Sequence, residues 1–454
     1  MKPTRLNQLR RLLWLYFWLL IFEGALRRWF LPGLASPLLL VRDPIALLAV
    51  FWAWPLLNKR PWRDWIKPLF WIAPIAFVLA ITVGHGDLFT ALYGCRILVL
   101  QLPLIFVFGS VFNRDDVIRF AWVMLWLCIP MALLITTQSS LPQTHLLNVG
   151  VGGVGTATFI GAAGRFRPPG TFSFINGVSM FFSLAVASLF AVFYGDQIRT
   201  LGRLFCAIAA IALVVAVPVS ISRGLLAGYL QVIAALIAAL VLSRTRIMPV
   251  VCGLIALIVA VWIATSLPGF QQTSAAFATR WELAAAAEAQ DSSSVVSSGL
   301  GVFETRILSR YTDPLSNLDA VPILGYGIGI GSNVGAKRLT GELTFLVGEG
   351  AWKSSLGELG LPLGLAFLIW RLSLALWILR LALRAAAKGN RLPLIFTGAS
   401  FLSVLGGQIG QPTGLGFLVL SAGLTLAACN CRSLSPLSKN RGSPLAVPSL
   451  VAET

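Results

Sequence analysis

The sequence predicts an all-α, polytopic membrane protein with about twelve transmembrane helices and one large external loop between helices 9 and 10. Three observations lead there. Of 454 residues, 57% are hydrophobic and only 11% are charged, too few charges to cover a soluble surface of this size. Apolar runs of roughly 18 residues or more, the length a bilayer core demands, recur from Leu12 to Ala428. Basic residues recur at alternate gaps between these runs, the asymmetry that marks cytoplasmic loops.

The first run, 12–31, follows Lys2, Arg5, Arg10 and Arg11, as the apolar part of a signal peptide would. It is too long and too aromatic for one, and Glu23 and Arg27-Arg28 stand where a small-residue cleavage site belongs. It therefore reads as a retained first helix. Further helices are expected at 38–57, 68–84, 92–112, 117–137, 174–194, 203–220, 224–242, 247–267, 356–379, 392–408 and 413–429. Seven segments expected on one side each carry at least two basic residues: Lys2 to Arg11, Lys59 to Lys67, Arg114/Arg119, Arg199/Arg203, Arg244/Arg246, Arg380 to Arg391 and Arg432 to Arg441. They share a face only if the helix number is even and both termini are cytoplasmic.

This divides the chain into helices 1–9 over residues 1–267, a large external loop at 268–355, helices 10–12 over 356–430, and a Ser/Pro-rich cytoplasmic tail at 431–454 that reads as disordered. A second external loop, 138–173, is Gly-rich from Val149 to Gly164. The large loop holds an amphipathic stretch (Phe277 to Gln290), a Ser-rich patch and the glycine run Gly325-Tyr-Gly-Ile-Gly-Ile-Gly331. Part of it is expected to be helical and to pack on the outer face. No internal repeat is evident.

The net charge of +18 would point to nucleic acid in a soluble protein. Here the cytoplasmic loops absorb most of it, and no nucleic-acid partner is implied. The cysteines, Cys95, Cys128, Cys206, Cys252, Cys429 and Cys431, lie in or beside apolar runs, so no disulfide framework follows. Cys429-Asn430-Cys431 reads as free thiols at a helix end rather than a metal or lipid site. His85 and His145 have no companions at ligand spacing, which disfavours a metal site and a Ser-His-Asp hydrolase. The glycine run follows no βαβ strand, so it is a flexible turn or backbone that approaches a ligand closely, not a dinucleotide fingerprint.

Charges near the bilayer are costly and are either paired or functional. Glu23 and Arg27 are four apart on one helix and can pair, and Arg42-Asp43 opens the next helix on the same side. A structural ion-pair cluster is the favoured reading there. The basic residues outside the cytoplasmic set also include Arg28, Arg96, Arg165, Arg167, Arg223, Arg280, Arg306, Arg310, Lys337, Arg338 and Lys353. As a group they suit a diphosphate or an acidic glycan, which guanidinium groups hold bidentately. Singly, each could be a snorkelling side chain at the headgroups.

Three segments, in order, carry a resemblance. They are Arg165-Phe-Arg-Pro-Pro-Gly-Thr-Phe-Ser-Phe-Ile-Asn176, then Ser222-Arg223-Gly224, then Pro322-Ile-Leu-Gly-Tyr-Gly-Ile-Gly followed across the loop by Glu349-Gly-Ala-Trp-Lys-Ser-Ser-Leu-Gly-Glu-Leu-Gly-Leu-Pro-Leu-Gly364. Together they resemble the O-antigen ligase and polysaccharide polymerase superfamily, over roughly residues 150–370. The resemblance implies a metal-independent glycosyltransferase with no cofactor, in the bacterial cytoplasmic (inner) membrane. It would polymerise or ligate oligosaccharide linked to a polyprenyl carrier such as undecaprenyl diphosphate, on the membrane's outer face. Its partners would be that lipid-linked glycan, the lipid bilayer and other polysaccharide export proteins.

By residue, Arg167 and Arg223 match the arginines of the first two elements, and Arg280 matches an arginine early in the loop. These would hold the diphosphate and stabilise its leaving charge. Arg165, Arg306, Arg310 and Lys353 complete the cations expected to bind diphosphate or glycan. The family often has His-Asn at the foot of the helix after the loop, where this chain has Glu349-Gly350. Glu349 is thus the expected general base, or else it only favours a helix N-terminus. The departure points away from a lipid A–core ligase and toward an exopolysaccharide polymerase. A transporter of lipid-linked glycan or another solute, and a scaffold subunit of an envelope assembly, are the competing readings.

Overall fold

The computed structural model describes residues 3–153, 166–195, 200–245, 311–341, 346–348 and 350–430, with the single positions 248, 275 and 279. Among them the secondary structure is helical, with no strand. In chain order the helices are α1 (Pro3–Ala25), α2 (Asp43–Leu57), α3 (Trp62–Thr82), α4 (Leu88–Arg96), α5 (Leu104–Val111), α6 (Arg114–Ser140), α7 (Ile175–Gly195), α8 (Thr200–Ser220), α9 (Arg223–Leu242), α10 (Asn333–Thr340), α11 (Ala351–Ala387), α12 (Leu392–Gly406) and α13 (Pro412–Cys429).

Nine segments among the described residues are long and apolar enough to cross a membrane: α2 with the turn from Pro37, α3, the α4–α5 unit, α6, α7, α8, α9, α11 and α13. Two other expected helices are present in a different form. α1 carries Arg10, Arg11 and Glu23 among its apolar residues, and α12 has only 15 residues. The expected helix at 247–267 apart from Met248, most of the large loop, and the tail at 431–454 lie outside the described residues.

Two elements differ from the sequence expectation for identifiable reasons. The stretch 92–112 was expected as one helix, yet a π-turn at Ile97–Gln101 separates α4 from α5. Pro103 follows it; proline lacks an N–H and clashes with the preceding turn, which disrupts the regular ladder there. α11 starts five residues before the expected Leu356 and runs to Ala387, but Gly360 interrupts it at φ 78°.

α13 lies at the centre, packed against α5, α7 and α12. Small residues permit this, for a Cβ at Gly423 would collide with the Phe108 side chain. Outward-facing side chains such as Phe51, Trp71, Trp126, Leu133 and Ile211 form the apolar exterior that a bilayer requires.

The helix ends gather into two sets that alternate along the chain. One end joins Arg10 to Asp116 at 3.0 Å, Arg391 to the Ser243 hydroxyl at 2.9 Å, and Asn430 to the Gly109 carbonyl at 2.8 Å. The basic segments Arg114, Arg244 and Lys388–Arg391 belong to this end. The other end gathers residues 141–153, 166–174, 318–341 and 407–411.

Near that second end, a buried ion-pair cluster ties α1, α2 and the α4–α5 unit together. The Glu23 carboxylate accepts from Arg27 Nη1 at 3.4 Å and from Arg42 Nε at 2.8 Å. Arg96 pairs with Asp43 at 2.6 Å, Gln101 donates to Asp43 at 2.6 Å, and Tyr16 donates to Gln101 at 2.7 Å. The Glu23–Arg27 pair is the one the four-residue spacing anticipates.

Candidate functional site

The segment that carries Arg167 is fixed from below by buried polar groups. Gly170, at φ 61°, donates its N–H to Gln138 Oε1 at 2.8 Å. Its carbonyl accepts from Gln138 Nε2 at 3.1 Å and from Arg28 Nη1 at 3.0 Å. Arg28 also donates to the carbonyls of Val149 and Leu147, at 2.8 and 2.9 Å. The Thr171 hydroxyl donates to the Ile21 carbonyl at 2.7 Å, and Arg27 reaches the Ser173 hydroxyl at 2.9 Å. Arg27 and Arg28 therefore hold the protein's own backbone and side chains.

Above this support, Arg167 Nη2 donates to the Ser222 hydroxyl at 3.3 Å. That contact joins the first motif segment to the second. Ser222 caps α9, accepting from the Leu225 N–H at 3.3 Å, and lies 2.9 Å from the Ser179 hydroxyl on α7. The preceding residue, buried Ile221, sits at φ 47°, an uncommon and strained conformation for a β-branched side chain. The strained turn delivers Ser222 to its cap and Arg223 to the first position of α9. A helix N-terminus repels a cation, so Arg223 stands where local electrostatics favour an added anion. Arg167 and Arg223 are both half-buried.

The third segment closes on itself. At the Gly360 break, the carbonyls of Gly357 and Glu358 accept from the N–H groups of Tyr326 and Gly327, at 2.7 and 3.1 Å. Leu361 N–H in turn donates to the Ile323 carbonyl at 3.1 Å. The Glu358 carboxylate then accepts from Gly329 N–H (2.8 Å), Gly331 N–H (3.1 Å) and the Ser354 hydroxyl (3.1 Å). The glycine run thus wraps the protein's own carboxylate. Gly329, at φ 95°, must be glycine twice over, since a Cβ would also collide with the Thr90 carbonyl.

Beside this turn lies a small cavity of about 40 Å³, walled by the glycine run, the first turns of α11 and the connection from α12 to α13. Its polar lining is Ser332, Ser354, Ser355, Glu358, Gln408 and Gln411, and no lysine or arginine among the described residues lines it. Gln411 Oε1 accepts from Asn176 Nδ2 at 3.4 Å. Asn176 and Ser179 are three apart on α7, so the first turn of that helix stands between the cavity and the Arg167–Ser222 contact.

Of the expected site residues, Arg167 contacts Ser222, the residue before Arg223, and Lys353 takes no part in that contact. Lys353 is exposed in a neighbouring open pocket with Tyr326 and Val347. Arg165, Arg280, Arg306, Arg310 and Glu349 lie outside the described residues. Arg42 and Arg96 belong to the ion-pair cluster. Sequence reading passed over Gln408 and Gln411, whose signal is two amides between two apolar helices. It also passed over Arg371, a lone cation inside an apolar run. Arg371 donates to the carbonyls of Val404 (2.8 Å), Ser403 (3.1 Å) and Gly407 (2.8 Å), closing the C-terminus of α12 below the cavity.

An outer latch holds the glycine run to the α3–α4 connection. His85 N–H donates to the Tyr326 carbonyl at 3.1 Å, and His85 Nε2 lies 3.2 Å from the Ile328 carbonyl. Arg338 on α10 pairs with Asp87 at 2.8 Å. The Arg338 guanidinium, with the Thr90 hydroxyl and N–H, holds the Asp87 carboxyl well below the usual carboxylate range. A depressed carboxyl adds stability above its ordinary value of about 4 and loses it as pH falls through the lower folded-state value. Asp87→Asn keeps the α4 cap but removes the charge pair. It should lower stability by up to about 1 kcal/mol at neutral pH. Melting curves of the two proteins should converge on acidification; a constant gap would mean the ion pair contributes nothing.

Of the remaining groups, Cys95, Cys128 and Cys206 are free thiols, and no group of three or more His, Cys, Asp or Glu that could hold a metal occurs among the described residues. No protein-family model matches the chain, and no curated protein matches it in sequence.

Proposed function

We propose that this protein is a membrane glycosyltransferase that extends or transfers a polyprenyl-diphosphate-linked oligosaccharide on the outer face of the bacterial cytoplasmic membrane. The reading takes twelve helices, cytoplasmic termini and the large loop at 268–355 on the outer side. The observation that carries it is the contact of Arg167 with Ser222, which unites two motif segments 55 residues apart. It brings half-buried Arg167 to the residue that precedes half-buried Arg223, at the end of the helices opposite the basic segments. Such a pair suits a diphosphate better than any neutral ligand.

In the proposed reaction the diphosphate of the carrier rests on Arg167 and Arg223. The acceptor hydroxyl oxygen bonds to the anomeric carbon with inversion. The bond from that carbon to the diphosphate oxygen breaks, and the polyprenyl diphosphate leaves with the electron pair. The hydroxyl proton passes to the Glu349 carboxylate. The arginines stabilise the charge of the departing diphosphate, so no metal is required for that step. Glu349→Gln should abolish transfer without changing expression; retained activity would remove Glu349 from the scheme.

The test in cells is surface or secreted glycan length in wild type, a deletion strain and Arg223→Ala. Loss of long chains, with single units left on the carrier, is the expected result. Long chains stranded on the carrier would make the protein a ligase. A second reading, transport of a lipid-linked glycan, draws on the interruption of α11 at Gly360, because transporters commonly use broken helices. Flux in vesicles without any change in glycan length would favour it.

A further inference from the structure

The cations at the basic end of the helices are not all used alike. Several serve the fold. Arg10 pairs with Asp116, Arg114 donates to the Gly195 carbonyl, and Arg391 donates to the Ser243 and Thr245 hydroxyls at 2.9 and 2.6 Å. The turn from α2 to α3 is different. Lys59, Arg60, Arg63 and Lys67 crowd together there, with Asp64 as the one carboxylate among them. Asp64 is exposed and lies 3.4 Å from Arg60 and 3.8 Å from Arg63, so two guanidinium groups share it. At the longer distance Arg63 Nε makes no hydrogen bond. The Lys59 and Lys67 ammonium groups are exposed and have no partner among the described residues. Positive charge at this turn is left without an internal use.

Its place in the fold sets what these cations meet. Trp62, at the start of α3, lies 5.7 Å from Phe106 on α5, the helix whose Gly109 carbonyl accepts from Asn430, so the turn belongs to the basic end. On α3, Lys67 is followed at helical spacing by Trp71, Ile75 and Val78, all exposed. On α2, Leu47, Phe51 and Trp54 form a second exposed stripe at the same spacing. Trp54 meets Phe70 edge-on at 5.7 Å, which sets the two stripes side by side. On helices that cross a bilayer such stripes face acyl chains. Each leads toward the turn and its cations, with Trp54 near the boundary, where tryptophan favours the headgroup level. Apolar along its length and cationic at its end, this surface matches the polarity of a phospholipid.

We infer that the α2–α3 hairpin is a binding site for an anionic glycerophospholipid from the leaflet at this end of the helices. The phosphate diester oxygens accept from Arg63 and Lys67, and Lys59 and Arg60 close around the headgroup from the turn. The acyl chains lie along the exposed stripes of α2 and α3. A zwitterionic lipid brings an ammonium group of its own, which these cations repel, whereas an anionic headgroup supplies the charge that one shared carboxylate leaves short. The inference goes beyond the glycosyltransferase reading and does not rest on it, since neither the Arg167–Ser222 contact nor the glycine run takes part.

The experiment is native mass spectrometry of the full chain, delipidated in detergent and titrated with dioleoylphosphatidylglycerol or dioleoylphosphatidylcholine. Lys59→Gln/Arg63→Gln/Lys67→Gln removes three charges from the hairpin. Arg380→Gln/Arg384→Gln/Lys388→Gln removes three exposed charges from the end of α11 and is the charge-matched control. Wild type and the control should bind phosphatidylglycerol more tightly than phosphatidylcholine. The hairpin variant should weaken phosphatidylglycerol binding about tenfold or more. Its phosphatidylcholine binding and its melting temperature in lipid-free detergent should match wild type. If the triple variant melts early, Lys67→Gln alone, at an exposed side chain without a partner, should still weaken phosphatidylglycerol selectively. Equal affinity of wild type for the two lipids would overturn the inference without reference to any variant. Equal loss in the two triple variants would also overturn it, because binding would then follow net charge and not this site.

Discussion

Replacing Glu23 with alanine should destabilise the protein by about 3–5 kcal/mol, the cost of stranding buried charges without a partner. Glu23 is 3% exposed and neutralises Arg27 and Arg42, which are 6% and 3% exposed. Removing it leaves two buried guanidinium groups with only neutral acceptors, such as the Ser173 hydroxyl for Arg27 and the Pro412 carbonyl for Arg42. Arg42 also donates to the Pro412 carbonyl at 2.8 Å, so its displacement reaches the start of α13 and the cavity wall at Gln411. Loss of folded protein in detergent, read as a fall in melting temperature, is the expected result. The double variant Glu23→Ala/Arg42→Met should cost less than the sum of the single changes, because the charge left behind is also removed. Additive effects would show that the pair is not energetically coupled.

The second large effect is expected at Glu358. Alanine there leaves two backbone N–H groups of the glycine run without acceptors. At about 1–3 kcal/mol for each group left unsatisfied, the half-buried setting puts the loss near 2–4 kcal/mol. Glutamine should lose about half as much, since its carbonyl oxygen can accept one N–H while its amide nitrogen faces the other. The readout is melting temperature, with limited proteolysis around Tyr326 as a local probe. If alanine and glutamine are equally mild, the carboxylate does not anchor the run.

What the sequence made legible followed from local rules. Apolar run length placed the spanning helices, because every backbone group in a bilayer must be satisfied within its own helix. The four-residue spacing revealed Glu23 with Arg27. Arg42 belongs to the same ion-pair cluster by its side of the membrane, but its pairing with Glu23 comes only through the packing of α2 on α1. The glycine run advertised positive φ, but its partner Glu358 lies about thirty residues later, and only the broken α11 brings them together. Arg27 and Arg42 were expected in an ion-pair cluster and form one, whereas Arg28, Arg96 and Arg338 stood among the residues expected to suit an anionic ligand. The folded chain gives each an internal acceptor, as burial of charge demands. Arg167 too has an internal acceptor, the Ser222 hydroxyl, and through it two motif segments meet. Gln408 and Gln411 carry no charge and no motif spacing, and their only sequence signal is a pair of amides between two apolar helices.

The most direct test of the central claim uses purified protein in vesicles supplied with carrier-linked oligosaccharide, with glycan length read by electrophoresis. Wild type should lengthen or transfer the glycan without added metal. Arg223→Ala should slow this by about 10²–10³, the usual effect of removing one preorganised electrostatic contact, while its melting temperature stays unchanged. Glycan of unaltered length in the presence of folded wild-type protein would contradict the account.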